Sequence, residues 1–233
     1  MPAGGTGLVL RGLRKEPAAI GKWHLGWDWT HKEGKAKTVD NIGFTKRVAN
    51  GPTDRGFDYF YGLTSPSGPP HLYMVNDMAE KQPNTRFEES GGGLYKIKGG
   101  IGHSDWSADG MQPHLADKML EYLDENKDSD KPFFLYMALT APHIPLFPSK
   151  EFKGKSKIGD YGDLVMMIDD IVGRVNRKLK EIGKYDNTIV MFAADNGCAG
   201  YINMDRINRK GHYPSYIYRG YKSHGWEGGH RIP

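Results

Sequence analysis

The sequence is poor in cysteine, in long apolar runs and in blocks of one charge. Its one cysteine, Cys198, excludes an intrachain disulfide framework and any zinc site built on several thiolates. No apolar run approaches the length of a membrane span. Lysine and arginine are scattered rather than gathered, and no basic stripe is interleaved with aromatics, which leaves nucleic-acid binding without support. None of the asparagines stands in a glycosylation sequon. The opening "MPAGGTGLVLRGLRKEP" carries a short apolar patch but no charged leader followed by an apolar core. Compartment and oligomeric state are therefore not legible.

What is present is a chain of 233 residues with net charge +4, 31 glycines, 14 prolines and 13 tyrosines. That length suits one domain, 1–233, with a substantial core. The glycine and proline content implies many turns, and the mild positive charge suits an anionic substrate. Residues 8–15 read as the tail of a helix and 17–21 as a short strand ending at Gly21. From Gly26 to about Met111 the text is rich in loop signals, among them "GPTDRGFDYFYG" and "ESGGGLYKIKGG". The second half is more regular. Leu115, Met119, Tyr122 and Leu123 give a helical face over 110–126, and "KPFFLYMAL" a buried strand at 132–139 that stops at Pro142. Leu164, Ile168, Ile171, Val175, Leu179 and Ile182 recur at helical spacing over 160–183. "NTIVMFAADNG" reads as a further apolar strand. Helices and strands alternating over short links predict an α/β fold with parallel pairing.

Ligands of open α/β sheets gather at the carboxyl ends of strands, and polar residues cluster at such ends here. In "AAIGKWHLG" an extended backbone would put Lys22 and His24 on one side and Trp23 on the other. A cation beside a proton donor suits an anionic ester; a solvated strand end would read the same. His143, in "APHIPLFP", is a proton donor, an anion contact or simply a loop histidine. Asp195 and Asn196 offer hard oxygens suited to Ca²⁺ or Mg²⁺, although Asp-Asn-Gly also makes an ordinary turn. "RGYKSHGWEGGHRIP" packs Lys222, His224, Glu227, His230 and Arg231 around glycines, the composition of a solvated charge run. The Tyr-rich "GHYPSYIYRGY" suits either stacking on a sugar or aromatic ring or packing as a loop.

Taken in order, "GKWHLG", "APHIPLFP", "AADNG" and "KSHGWEGGHRIP" resemble the sulfatase family, near its arylsulfatase A group, and so do "GFDYFYG" and "YGDLVMMIDDIVGRV". The likeness runs from about Pro17 to the end. It implies an alkaline phosphatase-like α/β/α sandwich with a mostly parallel sheet between helical layers. It also implies hydrolysis of aryl or carbohydrate sulfate esters by a formylglycine nucleophile with a divalent cation, Ca²⁺ as a rule and Mg²⁺ as the other candidate. By the same resemblance Lys22 and His24 match the pair that contacts sulfate and steadies the formylglycine. His143 matches the histidine near the leaving oxygen, Lys222 the second sulfate-binding lysine, and Asp195 and Asn196 two of the metal ligands.

The family's nucleophile lies in Cys/Ser-x-Pro-Ser-Arg, upstream of the Gly-Lys-x-His segment. Cys198 opens "CAGYI", without the proline or the arginine. Ser67 opens "SGPPH", which ends in His71 and stands on the wrong side of "GKWHLG". No nucleophile is assigned in this chain. The acidic pair contributed by the family's first strand is missing as well, and so is the family's C-terminal subdomain. The text thus reads as an interior piece of a sulfatase, expected to be inactive and a weak metal binder on its own. Two other readings remain open: a phosphate or phosphonate ester hydrolase of the same superfamily, and a non-catalytic anion-binding remnant.

Overall fold

The structure, a computed structural model, describes residues 16–232; the helix expected at 8–15 lies outside them. A five-stranded sheet runs in the order β4-β3-β2-β1-β7, with β1 at Glu16–Lys22, β2 at Tyr59–Leu63, β3 at Met74–Val75, β4 at Met78–Ala79 and β7 at Phe133–Ala138. The longer strands β2, β1 and β7 are parallel, and β3 and β4 fold back antiparallel at one edge. A separate ribbon pairs β5 (Thr85–Phe87) with β6 (Gly100–Gly102). The long helices are α1, Met111–Glu125, and α2, Asp160–Glu181; the short α3, Met204–Asn208, and α4, Glu227–His230, follow.

Strand β1 is buried on both faces, and its alternation decides what lies on each. Ala18 and Ile20 join Tyr61 and Leu63 of β2 under Leu115 and Met119 of α1 and Leu164, Met167 and Ile171 of α2. Ala19 turns the other way and packs with Trp23, Phe44, Val48, Phe57 and Phe60. One face is therefore covered by the helix pair. Loops and short 3-10 turns bearing large aromatics cover the other. Burying each such aliphatic side chain stabilises the fold by about 1.5–3 kcal/mol.

The periodicity expected of both long helices is met. Leu115, Met119 and Leu123 are buried along α1, and Leu164, Ile171, Val175 and Leu179 along α2. Asp163 is as buried as these, and no apolar period could announce it. Its carboxylate accepts the backbone N–H of Gly154 at 2.8 Å and of Ser156 at 2.6 Å, so it holds the loop before α2 against the helix's first turn. Acidic residues there also suit the helix dipole.

Three local expectations change. The loop-rich tract contains β2, which pairs with β1 from Ala18↔Tyr59 to Lys22↔Leu63. Strand β7 is half-buried rather than buried, with Tyr136 exposed, because among the described residues β1 is its only neighbour in the sheet. The apolar stretch 188–194 forms no strand: Ile189 is 87% exposed, Met191 82% and Phe192 57%. A strand exists only through its ladder partner, and none lies beside this stretch among the described residues. No described helix is long and apolar enough to cross a membrane.

Candidate functional site

The carboxyl end of β1 is where the chain passes from core to site. Gly21, at φ +129°, lies so near β7 that a Cβ there would meet the Ala138 carbonyl oxygen at 2.0 Å. Gly62 of β2 approaches from the other side, where a Cβ would meet the Gly21 oxygen at 1.8 Å. Only glycine fits either place. The strands thus draw together just before Lys22, the last residue of β1. The Trp23 N–H still donates to the Leu63 oxygen at 2.9 Å, which carries the extended backbone one residue further. Trp23 is buried in the aromatic cluster, while Lys22 is half-buried and His24 exposed.

Lys22 has its pKa lowered, first by burial and then by the charge of Lys222, with the Asp195 carboxylate pulling it back up. His24 is lowered by burial, by Lys22 and by His143. These couplings place Lys222 and Asp195 around Lys22, and Lys22 and His143 around His24. Two contacts tie the later segments together: Lys222 to Cys198 by its N–H and the His143 ring to Tyr201.

Each arrives on its own support. His143 follows β7 in a loop closed by its own N–H on the Thr140 oxygen at 3.2 Å. Its Nδ1 lies 2.7 Å from the Ile144 oxygen, a contact that requires the proton on Nδ1 and leaves Nε2 free. The ring meets Tyr201 edge to face, 6.2 Å between centroids. Lys222 is fastened by its N–H to the Cys198 oxygen at 2.8 Å, three residues past Asp195 in the chain. Ser223, at φ +74°, then turns the backbone sharply. Gly197 answers the turn reading of Asp-Asn-Gly: a Cβ on it would strike the Gly228 oxygen at 1.9 Å, and its N–H donates to the Gly229 oxygen at 3.0 Å. Glycine is needed there for α4 to dock.

Tyr201 and Tyr161 were not singled out as site residues by the sequence, although Tyr161 opens the family-like "YGDLVMMIDDIVGRV". Burial raises the pKa of both phenols. The Tyr161 hydroxyl pairs with Cys198 Sγ at 3.3 Å, and burial raises the Cys198 thiol too. A thiol held in its neutral form is a poor nucleophile. This agrees with leaving Cys198 out of the chemistry.

Asp195 and Asn196 supply hard oxygens, but a calcium ion takes six to eight such ligands. Among the described residues no group of three or more His, Cys, Asp or Glu side chains could hold a metal. The donors present therefore fit only part of a cation site.

The sulfatase family model matches residues 9–233. The N-acetylgalactosamine-6-O-sulfatase of Bacteroides thetaiotaomicron is 28% identical over 92% of this chain and 47% of its own length. The arylsulfatase of Hemicentrotus pulcherrimus is 30% identical, over 92% of this chain and 34% of its own length. The chain thus spans less than half of either relative. Among solved structures, one described under glycosaminoglycan metabolism by Bacteroides thetaiotaomicron superposes with a TM-score of 0.77 at 25% identity, covering 97% of this chain and 53% of its own. The mostly parallel sheet and a family match over nearly the whole sequence agree: the chain belongs to the sulfatase family.

Proposed function

We propose that this chain carries the anion-holding part of a sulfuric ester hydrolase whose substrate is a sulfated sugar or aryl sulfate. What supports this is that Lys22 feels the charges of Asp195 and Lys222, and His24 those of Lys22 and His143, while the Lys222 N–H is bound to the Cys198 oxygen. The relatives bearing the names of sulfated-sugar and aryl sulfatases point to the same chemistry.

Lys22 and Lys222 are assigned to the non-bridging oxygens of the sulfate. Two ammonium groups kept near each other without an anion are mutually unfavourable, and Lys22 is half-desolvated as well. A bound sulfate reverses both effects. Held in place before the reaction, the same charges stabilise the negative charge that grows as the S–O bond breaks. His143 is assigned to the leaving oxygen: with Nδ1 tied to Ile144, a proton carried on Nε2 is the one free to move to the departing alkoxide. His24 flanks Lys22 on the sulfate side. Asp195 and Asn196 would give oxygens to a divalent cation, Ca²⁺ or Mg²⁺, which supplies Lewis-acid polarisation when bound.

The group that attacks sulfur is not assigned to any residue of this chain, because no Cys/Ser-x-Pro-Ser-Arg occurs in it. On its own the chain should bind sulfate esters without turning them over. The test is calorimetry with an aryl sulfate and its phosphate counterpart, alongside a hydrolysis assay. Binding that favours the sulfate, weakens in Lys222→Ala and brings no hydrolysis above background is expected. Preference for the phosphate would move the reading to a phosphate ester hydrolase. Binding unaffected by Lys222→Ala would refute the assignment.

A further inference from the structure

The loop that delivers Lys222 carries more than that lysine. Its base is closed by the Gly228 N–H on the Arg219 oxygen at 2.9 Å. Across this base the Arg219 guanidinium lies over the Trp226 ring, 3.9 Å from its centroid. Trp226 is 51% exposed, and Arg219 has no carboxylate partner among the described residues. Arg231, close in sequence, does have one, in Glu227 at 3.1 Å. A large aromatic left in water and a guanidinium free of acid together leave apolar area and charge unused. Trp226 also lies close to the loop backbone, where a Cβ on Gly220 would meet the Trp226 Cβ at 3.0 Å. Three residues separate Arg219 from Lys222, a reach of at most about 11 Å.

Resting on the sulfate-ester reading above, we infer that Arg219 and Trp226 form a second subsite, which holds an acidic sugar ring next to the one whose sulfate lies at Lys22 and Lys222. The chemistry of the pair selects that ligand. The indole offers a flat apolar face for the C–H side of a pyranose. The guanidinium offers paired N–H donors to a ring carboxylate or a further sulfate. With Lys222 three residues away, Arg219 adds a second cation to the same loop, which matches a polyanionic chain better than a single small ester.

The intact chain is titrated calorimetrically with a chondroitin 6-sulfate hexasaccharide and with the 6-sulfated monosaccharide, for the unaltered sequence, Arg219→Gln and Trp226→Phe. The hexasaccharide should bind at least about tenfold more tightly than the monosaccharide, and Arg219→Gln should remove about fivefold to tenfold of that advantage. Trp226→Phe, which keeps a ring, should lose less. Monosaccharide affinity should stay the same in both variants. Equal affinity for the two probes, or equal losses on both, would overturn the subsite. Failure of the monosaccharide to bind, or its indifference to Lys222→Ala, would instead sink the sulfate-ester reading. Arg219 is exposed, so Arg219→Gln keeps the test decisive even if a Trp226 variant folds poorly.

Discussion

Trp23 is buried while Lys22 is half-buried and His24 exposed on either side of it, and this alternation bears on how His24 titrates. His24 has its pKa lowered by burial, Lys22 and His143, so without an anion it stays neutral to a lower pH than an ordinary histidine. The unfolded chain then binds the proton more readily than the folded one, and His24 takes stability away as pH falls below about 6.5. A bound sulfate dianion reverses that balance. Sulfate affinity should therefore rise between pH 7.5 and 5.5 with uptake of a proton, read by calorimetry in buffers of different ionisation enthalpy. His24→Gln should flatten the rise. A flat profile in the unaltered chain would contradict this placement of His24. For metal, Asp195 and Asn196 alone predict Ca²⁺ affinity no tighter than about the millimolar range. A micromolar dissociation constant abolished by Asp195→Ala would show a complete site.

Among the elements, those whose burial follows a local period were legible: β1, both long helices and the position of β7. Strand β2 was not, because five residues set among glycines and aspartates carry no period long enough to read, and β1 supplies the pairing that makes them a strand. The stretch 188–194 failed in the opposite direction, for its composition is that of a buried strand and only a neighbour could make it one. The candidate site was named from motif residues, Lys22, His24, His143, Asp195 and Lys222, whose roles are a proposal. Tyr201 and the Arg219–Trp226 pair escaped, since their placement depends on contacts between loops. Hydrogen exchange tests the contrast between elements. Amides of 189–193 should exchange at least about a thousandfold faster than those of Ala18–Ile20, and comparable protection would refute the absence of a ladder. At the strand crossing, Gly21→Ala should lower unfolding free energy by about 3 kcal/mol or more in denaturant titrations, because the new methyl meets backbone rather than a side chain that can give way. A loss below about 1 kcal/mol would mean that β1 and β7 are not so close.

For the whole molecule, the same unpaired features govern solution behaviour. Among the described residues strand β7 ends the sheet with one edge unpaired, and Ile189, Met191 and Phe192 lie exposed along a single stretch. An open edge and a contiguous apolar run both favour association between copies. Light scattering should show association that grows with concentration and subsides in the double variant Ile189→Lys, Phe192→Glu. A strictly monomeric unaltered chain would count against this picture.

The most direct test of the central claim, that Lys22 and Lys222 share one tetrahedral anion, is a double-mutant cycle on sulfate affinity with Lys22→Ala, Lys222→Ala and the pair. Each single change should weaken binding by about tenfold or more, and the double change should cost clearly less or more than the sum, with a coupling of at least about 0.5 kcal/mol. Losses that simply add, or singles that leave affinity unchanged, would show that the lysines do not meet on the same ligand.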